Sequence, residues 1–301
     1  MEVSAFRKEK AQAMELTSPS VIRALMDEAG ISFRKEFGQN FLINRDTVER
    51  IADAASGERE SLILEIGPGI GSLTRALAAR YRRVVAVEID RGLIPVLGKT
   101  LSDCDNVRVV EGDVMKVDLR ALLEEEAAGL PVAVCANLPY YITTPILMRL
   151  LELRLPITSL TLMVQSEVAD RLAAAAGSDA YGAITAVLGY YGEVRRLFTV
   201  AAGNFLPAPK VSSAVIKLTL YKEPRFTPSS EAFFFRTVEA AFSQRRKTLV
   251  NTLSSLGTGL DKAALTELVV SLGHSPTVRG ERLSTADFVA LSDALFAHMK
   301  S

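Results

Sequence analysis

The 301-residue sequence predicts an α/β fold: a largely parallel sheet with helices on both faces, finished by an antiparallel pair and followed by a small all-helical domain. Three observations predict it. Short apolar runs without polar alternation recur at 62–66, 84–87, 107–110 and 132–136, the pattern of strands buried on both faces. The stretches between them are long enough for the helical crossovers that parallel strands require. Beyond residue 222 the strand-like runs stop and helical periodicity takes over.

The first strand, 62–66, leads into the glycine-rich turn Gly67-Pro68-Gly69-Ile70-Gly71, with a helix starting near Ser72. The second ends at Glu88, the third runs into Glu111-Gly112-Asp113, and the fourth stops at Asn137. Residues 160–164 continue the series. Residues 190–200 and 211–220 follow without a long helix between them, which predicts an antiparallel hairpin whose connection holds 204–209. Pro224 and Pro228 mark a linker, and Ser229-Ser230-Glu231 reads as a helix start ahead of one helix over 233–253. Gly257 and Gly259 interrupt the pattern, 261–272 restores it, and 285–299 supplies a last amphipathic helix. The predicted domains are therefore 1–222 and 223–301. The sequence contains no internal repeat and no low-complexity tract.

With 49% hydrophobic residues, a chain of this length can bury a substantial core. Cys104, Cys135, His274 and His298 are its only cysteines and histidines. They are too few for a structural zinc site or a disulfide framework, so no metal is expected and a reducing cytosol fits best. The N-terminal residues, with Arg7, Lys8, Glu9 and Lys10 close to the start, lack the apolar stretch of a secretory signal. No run is apolar and long enough to cross a bilayer, and the expected location is the cytoplasm. Thirty-five basic residues balance 35 acidic ones, so bulk charge announces no nucleic-acid partner. The charge is unevenly spread: residues 195–250 hold ten Lys or Arg against three Glu. Taken alone, that segment reads as an ordinary solvated face.

Glycines at 67, 69 and 71 let the backbone approach a ligand that a Cβ would displace. A dinucleotide fingerprint would need a further glycine where Ser72 stands, which disfavours a nicotinamide cofactor. The spacing, with Glu65 just ahead, resembles the first motif of the S-adenosylmethionine-dependent methyltransferases. Glu88, about twenty residues on, is placed to accept both ribose hydroxyl protons. Asp113 can accept from the adenine amine of such a cofactor. Singly, each carboxylate reads equally well as a turn or helix cap. All three, however, fall at the carboxyl ends of strands, where open α/β sheets bind ligands.

Asn137-Leu138-Pro139-Tyr140 resembles the Asn/Asp-Pro-Pro-Tyr type of motif found in enzymes that methylate amino nitrogens. An adenine N6 lone pair is delocalised into the ring and is a poor nucleophile. Two acceptors, the Asn137 side-chain oxygen and the Leu138 carbonyl, would hold the amine near-tetrahedral and aim its electrons at an electrophilic methyl, which is catalysis by positioning. Pro139 stiffens the turn. Tyr140 offers a ring on which an extruded base can stack. Phe205, in Asn204-Phe205-Leu206-Pro207, has two readings: a second ring closing the pocket, or plain core packing.

With these residues in place, the chain resembles the ribosomal RNA adenine-N6,N6-dimethyltransferases from about residue 18 to about residue 291, and within them the small-subunit enzymes that modify two adjacent adenosines. The carriers are Phe37-Gly38-Gln39-Asn40-Phe41-Leu42, the 65–71 loop, Asn137 to Tyr140, Gln165-Ser166-Glu167-Val168-Ala169-Asp170-Arg171, residues 204–211, and Phe242-Ser243-Gln244-Arg245-Arg246-Lys247. The resemblance implies a seven-stranded class I S-adenosylmethionine-dependent methyltransferase sheet (Rossmann-like) with a small C-terminal all-helical domain. It implies that Asn40, Leu42, Glu65, Gly67, Gly69, Glu88, Asp113 and Asn137 surround S-adenosylmethionine, and that Asn137, Leu138, Pro139, Tyr140 and Phe205 surround the target base. The implied partner is the small ribosomal subunit and its 16S rRNA, met by a monomer, with a role in subunit biogenesis. Ser166 departs from the family, whose members commonly carry Lys there. Arg245, Arg246 and Lys247 are expected to bind RNA from a helix, where three consecutive side chains cannot share one face. Two other functions remain open on sequence grounds: a large-subunit adenine dimethyltransferase conferring antibiotic resistance, and a ribosome-assembly factor that does not need the chemistry.

Overall fold

The computed structural model describes residues 14–32 and 39–300. Two of the expected marker residues, Phe37 and Gly38, lie outside the described residues. The chain divides into two compact units: one of residues 1–169 and 195–219, the other of residues 170–194 and 220–301. The boundary expected at 222/223 falls close to the last of these crossings. The helical unit also draws in 170–194, however, because Tyr181 and Ala186 belong to its core and not to the sheet's.

In the first unit, helix α1 (Pro19–Glu28) precedes the two-residue strand β1 (Phe41–Leu42) and helix α2 (Arg45–Ala54). Asn44 caps α2 by accepting from Thr47 N at 2.8 Å. The repeating part is β2 (Leu62–Ile66), α3 (Ser72–Ala78), β3 (Arg83–Glu88), α4 (Ile94–Thr100), β4 (Val107–Glu111), α5 (Leu119–Ala127), β5 (Val132–Asn137), α6 (Thr143–Glu152) and β6 (Ile157–Gln165). After helix α7 (Ser166–Leu172) and helix α8 (Ala183–Tyr191) come β7 (Gly192–Val200), β8 (Phe205–Leu206) and β9 (Ser213–Leu220). The main sheet has seven strands in the order β4-β3-β2-β5-β6-β9-β7. Strands β2 to β6 pair in parallel, and β9 is antiparallel to β6. Chain progression reverses between β2 and β5, so a crevice opens at their carboxyl ends.

Strand β2 shows why the unbroken apolar pattern arises. Ile63 faces the same side as Leu73, Leu77 and Ile51, Leu62 and Leu64 face the other, and all are fully buried. The expectation of burial on both faces fails at β4, an edge strand whose residues are half-buried or exposed. Two further expectations are corrected. Tyr190 and Tyr191 end helix α8 and do not begin a strand, since Tyr190 packs against Phe226, Phe234 and Phe235. Strand β8 leaves the hairpin connection to pair with β1, matching Leu42 to Phe205 and Phe41 to Leu206.

The second unit packs α8, α9 (Glu231–Phe242), α10 (Leu249–Leu253), α11 (Lys262–Ser271) and α12 (Thr285–Lys300) around Phe234, Leu249, Leu265 and Phe288. The single helix expected over 233–253 is two. Helix α9 stops where Ser243 Oγ donates to the Ala240 carbonyl at 2.7 Å, and α10 starts at Thr248 in an extended conformation. Among the described residues, no helix is long and apolar enough to cross a membrane.

Candidate active site

A cleft of about 1130 Å³, counted to its open mouth, lies at the carboxyl ends of β2, β3, β4 and β5 in the first unit. Of the residues singled out from the sequence, Asn40, Leu42, Glu65, Gly67, Gly69, Glu88, Asp113, Asn137, Leu138, Pro139 and Tyr140 all line it.

The loop after β2 forms its floor. Gly67 and Gly69 have φ of +70° and +62°, conformations that side-chain-bearing residues rarely adopt. A Cβ on Gly69 would also stand 2.9 Å from Phe41 Cε1. Glu88 ties this loop to the end of β3. Its Oε2 accepts from Gly69 N at 3.1 Å and its Oε1 from Asp90 N at 2.9 Å. Burial raises its pKa above the ordinary carboxylate value. Glu65 sits deeper and is 1% exposed. Burial, reinforced by the neighbouring Glu88, pushes its carboxyl up to about 8. The Thr74 hydroxyl stands close enough to the carboxyl to offset part of that rise, yet neither Glu65 Oε2 nor Thr74 Oγ completes a well-aligned hydrogen bond among the described residues. An orphaned oxygen of that kind fits a site completed by ligand or water.

Asp113 is both cap and lining residue. Its Oδ1 accepts from Met115 N at 2.9 Å, and Lys116 Nζ lies 3.8 Å from its Oδ2. Gly112 N donates to the Glu88 carbonyl at 2.8 Å, which locks the third loop against the second. The close-approach glycines, two acceptor carboxylates and a large open volume fit a nucleoside-bearing cofactor such as S-adenosylmethionine.

At the end of β5, Asn137 Nδ2 donates to the Asn40 carbonyl at 3.1 Å. That bond orients the carboxamide and leaves Oδ1 as its acceptor face. Leu138 N donates to the Met163 carbonyl at 3.3 Å, which anchors the turn on β6. Pro139 O accepts from Ile142 N at 3.2 Å and from Thr143 Oγ at 3.3 Å. Tyr140 Oη lies 2.8 Å from Ser213 Oγ, so the ring is fixed at its far end.

Phe205 is not brought to the cleft. It is 3% exposed and packs with Leu42, Val48, Met163 and Val215, because its pairing with Leu42 turns the ring into the core. Arg245, Arg246 and Lys247 are exposed, but the helix expected for them is a turn between α9 and α10. Arg245 Nη2 donates to the Asp179 carbonyl, and its Nε lies 4.0 Å from Glu281.

Of the cleft residues to which sequence reasoning gave no role, two bear on its chemistry. Gln39 Nε2 donates to Asp90 Oδ2 at 2.8 Å, pinning the segment that carries Asn40; the polar run Gln39-Asn40 ahead of two apolar residues was the available signal. Tyr141 lies at the mouth, 64% exposed; an aromatic directly after Tyr140 was the signal there.

The family model described as "Ribosomal RNA adenine dimethylase" matches residues 30–282. The "Ribosomal RNA small subunit methyltransferase A" of Bacillus mycoides (strain KBAB4) is 44% identical over 290 residues, covering 95% of this chain and 99% of the relative. The protein of the same name from Bacillus anthracis (strain A0248) matches equally. Among solved structures, a dimethyladenosine transferase from Plasmodium falciparum superposes with a TM-score of 0.70 at 25% identity, over 83% of this chain and 95% of that one. The 23S rRNA methyltransferase ErmE gives 0.69 at 27% identity, over 85% of this chain and 100% of that one. By its sequence and by the sheet that carries the cleft, the chain belongs to the ribosomal RNA adenine dimethylase family, enzymes on a class I S-adenosylmethionine-dependent methyltransferase fold.

Proposed function

We propose that this enzyme dimethylates N6 of two adjacent adenosines near the 3′ end of small-subunit ribosomal RNA, as a monomer in the cytoplasm. The observation that carries the reading is the Asn137 carboxamide, held by Asn40 so that its oxygen accepts at the end of β5. It stands next to the Leu138 carbonyl and the anchored ring of Tyr140. The relatives at 44% identity bear the small-subunit name, which favours that substrate over large-subunit RNA.

S-adenosylmethionine, when bound, supplies an electrophilic methyl. Glu88 and Asp113 accept hydrogen bonds from its nucleoside part, Gly67 and Gly69 give the close approach, and Glu65, Asn40 and Leu42 complete the wall. Tyr140 stacks on the extruded adenine. Asn137 Oδ1 and Leu138 O would each accept a hydrogen bond from one amine N–H and so localise the lone pair toward the methyl, while Pro139 holds the turn rigid. Each transfer would form an N–C bond as the methyl's bond to the sulfonium sulfur breaks and its electron pair stays on sulfur as a thioether, and the amine would release one proton to solvent. After the first, a single N–H remains for one of the two acceptors. Phe205 supports this wall from the core side. The helical residues 223–301, with Arg245, Arg246 and Lys247, recognise the ribosomal particle.

The test is transfer of labelled methyl to small subunits isolated from cells lacking the modification, followed by mapping of the labelled nucleotides. Label on two adjacent adenosines is expected. Label confined to large-subunit RNA would favour the resistance-type enzyme, and no label on any ribosomal RNA would end the catalytic reading.

A further inference from the structure

The loop that carries Asp113 is closed on itself. The Asp113 carbonyl accepts from Lys116 N at 2.7 Å and from Val117 N at 2.9 Å, and Asp113 Oδ1 accepts from Met115 N at 2.9 Å. Val117 packs over Gly112, where a Cβ would stand 2.6 Å from Val117 Cγ2. Two carbonyls of this loop meet one side chain. Arg149 Nε donates to the Val114 carbonyl and Arg149 Nη2 to the Val117 carbonyl, each at 3.1 Å. The Val117 carbonyl also accepts from Leu119 N at 2.9 Å. Arg149 is half-buried in the last turn of α6.

The other end of α6 belongs to the wall that holds Asn137 to Tyr140. The helix follows directly on that turn, where Thr143 Oγ donates to the Pro139 carbonyl at 3.3 Å, and Ile142 and Ile146 line the cleft. Arg149 lies one turn beyond Ile146. One guanidinium therefore joins two walls of one cleft, the 112–114 wall and the wall from Leu138 to Ile146. All of these residues lie in one compact unit. A rigid planar fork with two donor nitrogens engaged fixes the spacing of the elements it joins more tightly than a single bond would. Supporting bonds of this kind hold a binding group at its working geometry.

We propose that Arg149 is a positioning residue: by bridging α6 to the Val114 and Val117 carbonyls, it holds the Asp113 carboxylate where it meets the adenine amine of S-adenosylmethionine. This deepens the proposed function and rests on its assignment of Asp113 to the adenine. A cation in the last turn of a helix also complements the helix dipole, a role that needs charge but no particular partner, so Arg149→Lys separates the two. Arg120 serves as a second control. Its Nη2 donates to the Leu153 carbonyl at 2.6 Å, which fastens the end of the same helix to α5.

The experiment measures calorimetric affinity for S-adenosylhomocysteine and for S-inosylhomocysteine, in which a carbonyl replaces the adenine amine. The proteins are wild type, Arg149→Ala, Arg149→Lys, Asp113→Ala, the double variant of Arg149→Ala with Asp113→Ala, and Arg120→Ala. Arg149→Ala should bind S-adenosylhomocysteine roughly tenfold more weakly, the scale of one hydrogen bond to a charged group. It should bind S-inosylhomocysteine about as wild type does, so the preference between the two narrows. A general loosening of the fold would weaken both ligands alike and leave that ratio unmoved. Asp113→Ala should narrow the preference at least as far, and the double variant no further than Asp113→Ala, because residues acting through one contact are not additive. Arg149→Lys keeps the charge but offers one donor nitrogen in place of two, and should recover the preference in part. Arg120→Ala should keep it whole. A wild-type preference in Arg149→Ala, an additive double variant, full recovery in Arg149→Lys, or an equal loss in Arg120→Ala would each overturn the assignment. A wild-type preference in Asp113→Ala would overturn the placement of Asp113 at the adenine, and the role of Arg149 with it. A narrowed preference in Asp113→Ala beside an unaltered one in Arg149→Ala would remove the positioning role alone.

Discussion

Asn137 carries two duties through two atoms of one carboxamide. Its nitrogen is spent on the Asn40 carbonyl, so its oxygen is the atom left to meet a substrate amine. Asn137→Ala removes that acceptor while leaving the half-buried position easy to fill. Methyl transfer should fall by a hundredfold or more, the scale on which one positioned hydrogen-bond partner acts. Single-turnover transfer reads the loss, and an unchanged melting temperature checks the fold. Glu65 poses a different problem, because its carboxyl is buried with no cation beside it among the described residues. Its pKa rises from the usual 4.5 to about 8 on folding. Between those values the folded protein keeps a proton that the unfolded chain releases. Glu65 is therefore least harmful to stability below pH about 4.5, and its cost grows as pH rises to about 8, above which it levels off. In the ligand-free enzyme, Glu65→Gln should raise the denaturation midpoint more at pH 8 than at pH 5. An equal effect at both pH values would show that the carboxyl is ionised across that range.

At the scale of elements, the legible feature was the unbroken apolar run. Strands β2, β3 and β5 lie inside the sheet, both faces demand apolar residues, and their positions could be read from the sequence almost to the residue. The carboxylates at their ends were legible for the same reason, since each strand terminus is a fixed point. What could not be read was set by partners distant in sequence. Phe205 looks like a pocket aromatic until its pairing with Leu42 turns it inward. The break between α9 and α10 has no glycine or proline to announce it, and Leu249 and Val250 continue the apolar spacing because they enter the same core as Phe234. That junction makes its own prediction. Gly280 opens a short 3-10 turn, and a Cβ there would lie 2.9 Å from the Ala241 carbonyl near the end of α9. Backbone cannot swing aside as a flexible side chain can. Gly280→Ala should therefore cost about 1 to 3 kcal/mol, the usual range for overpacking, visible as a lowered thermal midpoint. Ser230→Ala removes the cap that accepts from Phe233 N at 3.3 Å and should cost about 1 kcal/mol by the same measurement.

Over the whole molecule, 35 basic and 35 acidic residues cancel, so no net field draws the protein toward RNA. Affinity for a ribosomal particle then has to come from local cationic contacts, and its salt dependence should count them. The turn after α9 is the clearest cluster in the helical unit, but its three cations are not equivalent. Arg245 is already engaged with the Asp179 carbonyl and lies 4.0 Å from Glu281, so moving it onto a phosphate would break contacts within its own unit. Arg246 and Lys247 are exposed on the same turn. Arg246→Ala and Lys247→Ala should each flatten the salt slope by roughly 0.7 to 0.9, and Arg245→Ala by less. Binding to purified small subunits between low and moderate salt gives the ordering directly. The reverse order would mean that Arg245 abandons Asp179 and Glu281 on the particle and that the turn rearranges as it docks.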